Sequence, residues 1–152
     1  MVKFLGILFI FIIVVLILEA SSEEPSKVYF IKDISGDAVL EVFQKIGQDV
    51  GGKVAIKVHF GEDGNKNYLK PELIKKLTTE LNATLVETNV LYRGKRRFTE
   101  HHIQLAKEHG FDFAPIDILD SEGEKEINVD LEHFKVVSVG SHIDNYDNLI
   151  IF

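Results

Sequence analysis

One polar stretch follows an apolar run of the sequence and carries side chains suited to acid–base chemistry. Lys57 and His59 alternate with Val58, so in an extended strand they point to one face while Val58 packs on the other. Interior strand positions normally hold Val or Ile, which makes a cation two residues from an imidazole unusual there. We interpret Lys57 and His59 as candidate catalytic groups. The alternative is a tight polar loop in which a backbone partner satisfies His59.

The loop after His59 offers groups that can hold a ligand. Gly61 and Gly64 allow the backbone to approach a ligand closely. Glu62, Asp63 and Asn65 supply oxygens for a hard cation, and the loop amides are an alternative binding site for an anion. We predict ligand binding by Gly61, Glu62, Gly64 and Asn65, and leave the identity of any metal open.

A second polar loop, residues 89–97, places four cations within five positions of an otherwise acidic chain. Such a cluster predicts a local anion site or a docking patch. We expect Arg93 and Arg97 to act as a phosphate or carboxylate clamp. Lys95 and Arg96 are more typical of a solvated turn. The predicted ligand-binding residues of this loop are Asn89, Tyr92, Arg93 and Arg97.

Three further sets of polar residues follow. His101 and His102 begin a predicted helix, where adjacent side chains point about 100° apart, so we expect an exposed helix start rather than a metal site. Asp120 follows the fourth predicted strand, and facing the same edge as His59 would give an acid and a base in one cleft. We interpret His142 as part of a helix-end cap.

An alternation of strands and helices positions these loops. Periodicity predicts strands at 28–32, 54–60, 84–88, 116–119 and 148–152, and a hairpin at 126–129 and 134–139. It also predicts three helices, two of them capped by Ser35 and Thr99 and one with Pro71 in its first turn. This order predicts an α/β fold with an open, largely parallel sheet and crossover helices. Since the carboxyl ends of parallel strands share an edge, we expect the two polar loops to lie side by side.

The chain begins with a segment of another kind. Residues 4–18 are uninterruptedly apolar, with Lys3 before them and acidic residues after them. This pattern is typical of a signal peptide or a membrane anchor, and the charge order favours a domain outside the cytoplasm. We therefore divide the chain into a signal peptide or N-terminal membrane anchor over 1–24, forming a hydrophobic helix, and an α/β domain over 25–152. A buried core helix is the alternative, although the segment has no polar face.

Composition excludes several classes of function. The net charge of −7 argues against nucleic acid as a partner. With no cysteine, the chain has no disulfides, no thiolate metal site and no iron–sulfur ligands of its own. The sequence contains no nucleophile elbow, phosphate loop, dinucleotide fingerprint or zinc motif.

Four segments together resemble the domain of unknown function 362 family: VAIKVHFGEDGN at 54–65, LKPEL at 69–73, TNVLYRG at 88–94 and AKEHGF at 106–111. The resemblance runs from about residue 28 to the last residue and covers the N-terminal half of the family's domain. Longer members are often described as iron–sulfur proteins because of a cysteine-rich, ferredoxin-like segment further downstream. The resemblance implies a fold and a site location, but no reaction.

Three functions follow from these observations. The first is an exported or membrane-anchored domain that binds an anionic ligand or cofactor at the carboxyl ends of its strands, in a redox-associated assembly with a separately encoded second half. The second is an enzyme that uses Lys57 or His59 as its acid–base group. The third is a truncated, inactive fragment, because the apolar strand at 149–152 stops without a cap and lacks the continuation that the resemblance implies.

Overall fold

The computed structural model describes residues 25–46 and 50–152 of the chain. The predicted hydrophobic helix, and the signal or anchor assignment of residues 1–24, lie outside these described residues. Within them, no helix combines the length and the apolar character needed to cross a membrane.

The described residues alternate helices and strands in the predicted order. The helices are α1 (Gly36–Ile46), α2 (Pro71–Glu80) and α3 (Thr99–Glu108). The strands are β1 (Val54–Lys57), β2 (Thr84–Glu87), β3 (Ile116–Ile118), β4 (Glu124–Asn128), β5 (Val136–Gly140) and β6 (Asn148–Ile151). Two short 3₁₀ turns span Lys95–Arg97 and Ser141–Asn145.

Strands β1, β2, β3 and β6 form one sheet in the order β3-β2-β1-β6, and every neighbouring pair is parallel. Strands β4 and β5 pair separately as an antiparallel hairpin. The predicted α/β fold with a largely parallel sheet is confirmed. Because β1 has β2 on one side and β6 on the other, the strand order reverses there, and ligands bind at such switch points in open α/β sheets.

Both faces of the sheet are covered. The larger cluster joins Ile56 of β1 and Leu85 of β2 to Ile74 of α2 and Ala106 of α3, all fully buried. On the opposite face Ala55 and Val86 pack with Leu119 and Tyr146, which belong to the segment after β3. Parallel strands read as apolar runs because both of their faces are buried in this way.

The helix starts follow local rules with one exception. Ser35 caps α1 as predicted, since its Oγ accepts a hydrogen bond from the Ala38 N–H at 3.2 Å. Pro71 occupies the first turn of α2, where its missing N–H costs nothing. The predicted cap at Thr99 is wrong: Thr99 is the first helical residue of α3, and no side chain caps that helix. The Thr99 hydroxyl instead accepts a hydrogen bond from Asn89 Nδ2 at 3.0 Å.

The predicted strand at 28–32 is wrong. These residues have no regular secondary structure, and Val28 is 89% exposed. A run of residues with high strand propensity becomes a strand only where a neighbouring strand accepts its hydrogen bonds. The four-stranded sheet does not include this segment.

The segment before β6 is tied to the end of the sheet by Asp117 of β3. One Asp117 oxygen lies 2.8 Å from His142 Nδ1, and the other accepts the Tyr146 hydroxyl at 2.8 Å. The hydrogen bond to Asp117 raises the pKa of His142, and Glu122 at 3.3 Å adds to the effect. The interpretation of His142 as a helix-end cap is therefore wrong, because its ring contacts the Asp117 carboxylate instead.

We expect His142→Gln to reduce stability most at low pH. A histidine whose folded pKa is raised stabilises the fold fully below the unfolded value of 6.5, and that stability is lost as pH rises through the folded pKa. The free energy of unfolding, measured in urea, should fall by about 1 kcal/mol below that pH. The deficit should shrink at alkaline pH, whereas the exposed His133→Gln should show neither effect. An equal loss of unfolding free energy at every pH would contradict a charged contact between His142 and Asp117.

Candidate functional site

The carboxyl ends of β1 and β2 bring the two polar loops together. Lys57 lies in register beside Val86, so the loops after Lys57 and Glu87 leave the sheet as neighbours. Val58 continues this contact, because its N–H donates to the Val86 carbonyl at 3.2 Å. Their adjacency, predicted from the strand order, is confirmed.

The guanidinium of Arg96 joins the two loops. Its Nη2 donates to Glu87 Oε2 at 3.0 Å, and its Nη1 donates to Glu62 and lies 2.7 Å from His59 Nε2. Its Nε donates to His102 Nε2 at 3.3 Å. We call these five residues the Arg96 network. The prediction that Arg96 belongs to a solvated turn is wrong, because its side chain is only 4% exposed.

Glu87 connects the Arg96 network to Lys57. Its carboxylate is 3% exposed, and its Oε1 lies 2.9 Å from Lys57 Nζ, while Oε2 takes Arg96. One buried carboxylate therefore holds two cations, one inside the protein and one at its surface. The Lys57 side chain remains 37% exposed.

Glu62 and Tyr92 close the network on the solvent side. The Tyr92 hydroxyl donates to Glu62 Oε1 at 2.5 Å. Burial by itself raises the pKa of Glu62, but the hydrogen bonds from Tyr92 and Arg96 outweigh it and keep that pKa below its usual value. Glu62 is thus an internal partner of Arg96 as well as a loop residue.

His59 is more exposed than Lys57 and contacts different groups. Its Nδ1 accepts the Gly61 N–H at 3.0 Å, as the backbone-partner alternative predicted. A neutral imidazole has one lone pair, so Nε2 then carries the proton and cannot also accept from Arg96. Nε2 also lies 4.0 Å from Glu62 Oε1, which is beyond hydrogen-bond distance.

His102 lies beneath the network. The prediction of an exposed helix start is wrong for this residue, since it is fully buried and its ring packs edge-on against Phe60. Burial, together with the neighbouring positive charge of Arg96, lowers the pKa of His102 to about 4. Its Nδ1 has no hydrogen-bond partner among the described residues, which makes it an unsatisfied buried group.

A cleft of about 390 Å³ opens beside the network, at the ends of β1, β2 and β6. We call it the strand-end cleft. Its polar lining residues are Lys57, Thr88, Asn89, Asp120, Glu124 and Ser138. The β4–β5 hairpin forms one wall by packing very closely on the end of β3. A Cβ at Gly140 would lie 2.4 Å from the Leu119 carbonyl carbon, so only glycine fits there.

A known protein family matches most of the chain. The family described as Domain of unknown function (DUF362) matches residues 54–152, well over half of the chain. The chain belongs to this family. The match runs from β1 to the last residue and includes the Arg96 network and the strand-end cleft. No curated protein and no solved structure matches the chain.

The predicted site residues lie in different parts of this DUF362 domain. Lys57 and Asn89 line the strand-end cleft, whereas His59, Glu62 and Tyr92 belong to the network side. The remaining predicted residues lie apart from the cleft lining: Gly61, Gly64, Asn65, Arg93 and Arg97.

Those remaining residues have contacts of their own. Gly61 is buried with φ +90 against Tyr68, and Gly64 has φ +78 in the open loop. Asn65 Oδ1 accepts the Asn67 N–H at 2.8 Å, which is a local turn contact. Arg93 and Arg97 are both exposed, and their role as an anion clamp stays a prediction.

Metal binding receives no support in the described ranges 25–46 and 50–152. They contain no group of three or more His, Asp or Glu side chains placed to hold one ion. Adjacent His101 and His102 diverge as expected from helix geometry, since one is exposed and the other is buried.

Sequence reasoning missed the roles of Glu87 and Arg96, which form the centre of the Arg96 network. The signal that was available is Glu87, an acid at the end of the apolar run Thr84–Glu87. A carboxylate at an interior strand position needs a buried cation to offset its desolvation. The loop that follows β2 supplies four cations, but their spacing does not say which one turns inward.

We expect Arg96→Met to lower the free energy of unfolding in urea by about 3 kcal/mol, because it leaves the buried Glu87 carboxylate with one cation instead of two. Adding Glu87→Gln should recover part of this loss, since the uncompensated charge is then removed. The exposed Arg97→Met should change stability by no more than about 0.5 kcal/mol. Equal effects of Arg96→Met and Arg97→Met would contradict the network.

Proposed function

We propose that this domain is a ligand-binding module whose strand-end cleft receives the anionic group of a small ligand or cofactor at Lys57. The observation that carries this proposal is the placement of the Lys57 ammonium. It lies at the end of the central strand β1, on the cleft wall, with a buried carboxylate behind it.

The contacts of Lys57 suit binding. An ammonium has three donors, and Glu87 takes one of them at 2.9 Å. The others are available to a ligand in the cleft. Because Glu87 is itself fixed by Arg96, the ammonium is held in position before a ligand arrives, which lowers the entropy cost of binding.

The same contacts favour a binding module over an acid–base enzyme built on Lys57 and His59. Among the residues that the structure describes, Glu87 and Arg96 alone connect the two side chains, and His59 is not part of the cleft wall. An acid–base pair needs both groups within hydrogen-bond reach of one substrate. The enzyme proposal therefore needs a substrate that reaches both the cleft and the network side.

Thermal melting in the presence of inorganic phosphate and acetate tests the module. We expect both anions to raise the Tm of the wild-type chain and Lys57→Gln to weaken their apparent affinity by about tenfold or more. The matched control is Lys53→Gln, an exposed lysine that precedes β1 at the opposite end of the same strand.

Undiminished binding by Lys57→Gln would overturn the proposal. Binding by the isolated chain would also count against an inactive fragment. Turnover of a bound compound that requires both Lys57 and His59 would favour the enzyme.

We also propose that the domain is exported or membrane-anchored through residues 4–18, and works in a redox-associated assembly. The location is supported by the uninterrupted apolar run after Lys3. The assembly derives from the resemblance to longer, cysteine-rich members of the family. An iron–sulfur group would then belong to a partner, because this chain has no cysteine.

Alkaline washing of membranes from cells that express the full chain tests the location. We expect either retention in the membrane pellet, for an anchor, or an exported product shortened near residue 20, for a cleaved signal. Ile12→Arg with Val15→Arg should abolish both, because each arginine adds about 2.5–3.5 kcal/mol to insertion at the centre of the segment. A full-length wild-type chain recovered without membranes would contradict the assignment.

The edge of β6 supports the proposed partner, a separately encoded second half. In the described ranges 25–46 and 50–152 no strand pairs with its outer side, and Ile151 is 76% exposed. An unpaired apolar edge of this kind accepts an extended strand from another chain. An apolar groove lined by Val42, Phe43 and Ile150 adjoins it.

A further inference from the structure

The strand-end cleft carries charges of both signs on different walls. Lys57 lies on the wall formed by β1, whereas Asp120 and Glu124 come from the end of β3 and the start of β4. In the described part of the chain, no ion pair within 4.0 Å joins Lys57 to either acid. One basic and two acidic residues therefore line the same cleft without pairing directly with each other.

Asp120 is held as firmly as Lys57. Its Oδ1 accepts the Asn89 N–H at 2.8 Å, and its carbonyl accepts the Gly123 N–H at 3.1 Å in a tight turn. The close approach of Gly140 to the Asp120 backbone nitrogen, 2.7 Å for an added Cβ, fixes the same turn from the hairpin side. Asp120 Oδ2 accepts no hydrogen bond from the described residues, so one carboxylate oxygen remains for a ligand.

Glu124 adds a second acceptor on the same wall. Its Oε2 accepts the Ser138 hydroxyl at 2.6 Å across the hairpin, which orients the carboxylate and leaves Oε1 without a partner among the described residues. A ligand that carried only negative charge would meet these two carboxylates unfavourably. A ligand with a positive group near these two carboxylates and a negative group near Lys57 would pair with the charges on both walls.

Resting on the proposed function, we infer that the ligand of the strand-end cleft is a small zwitterion. Its carboxylate or phosphate contacts the Lys57 ammonium, and its own ammonium contacts the Asp120 carboxylate, with Glu124 beside it. The cleft volume of about 390 Å³ suits a small metabolite of this type.

Calorimetric titration of the intact chain with a matched probe set tests this inference. The zwitterions are glycine, β-alanine, 4-aminobutyrate and 6-aminohexanoate, which vary the distance between the charges. Butyrate and butylamine each carry one of the two charges. We expect one zwitterion to bind at least about tenfold more tightly than both butyrate and butylamine, because two charge-assisted contacts replace one.

Two variants assign the contacts. Asp120→Asn keeps an oxygen that accepts the Asn89 N–H, so it preserves the turn, and it should weaken the best zwitterion about tenfold without weakening butyrate. Lys57→Gln should weaken both compounds. The matched control Asp112→Asn alters an exposed acid outside the cleft lining and should change neither.

The outcomes separate this inference from the proposed function. If butyrate and every zwitterion bind with equal affinity, and Asp120→Asn does not change these affinities, the zwitterion inference is overturned. The anion site at Lys57 then remains. Binding of butyrate and the zwitterions that Lys57→Gln does not weaken would overturn both. A zwitterion preference that Asp120→Asn does not reduce would also overturn the inference, because the second contact would then lie elsewhere.

Discussion

The buried guanidinium of Arg96 is the interaction on which the carboxyl edge of this domain depends. Removing the Glu87 carboxylate and the Arg96 guanidinium from water costs several kcal/mol per ion, and only well-formed contacts offset that cost. Arg96 forms them with Glu87 and Glu62, and its Nε uses the lone pair of the buried His102. These partners come from the first polar loop, from the end of β2 and from α3. One side chain of the second polar loop therefore fixes three other segments relative to one another.

The placement of Lys57 follows from that arrangement. A lysine at the end of a central parallel strand would normally turn to water or be replaced by an apolar residue. Here Glu87 holds its ammonium, and Arg96 in turn fixes Glu87. The buried network therefore fixes the position of the Lys57 side chain, which lines the strand-end cleft. This cleft lies at the strand ends, where ligands bind in open α/β sheets. The close packing of Gly140 on Leu119 and Asp120 completes the opposite wall.

The periodicity of the sequence was sufficient for the sheet and the crossover helices, because apolar spacing reports which faces are buried. It was not sufficient at residues 28–32, where strand formation depends on a neighbour that the sequence does not specify. The location of the site at the carboxyl ends of β1 and β2 also followed from strand order. The choice among the cations of the second loop did not, because it depends on the 3₁₀ turn Lys95–Arg97, which buries Arg96 and exposes Arg97.

The acidic side of the cleft was only partly predictable. Asp120 was expected to share a cleft with His59, but it lines the strand-end cleft with Lys57 instead. The difference arises because His59 leaves the strand beyond Lys57 and turns to the Gly61 amide. Glu124 and Ser138 reach the cleft through the hairpin, whose position against β3 no local pattern encodes.

Nitrogen-edited NMR of the arginine side chains tests the central claim most directly. If Arg96 is fixed by Glu87, Glu62 and His102, its two Nη groups should give separate, slowly exchanging resonances at neutral pH. The exposed Arg93 and Arg97 should give the averaged, rapidly exchanging signals of mobile guanidinium groups in the same spectrum. An averaged Arg96 signal, indistinguishable from theirs, would contradict the account.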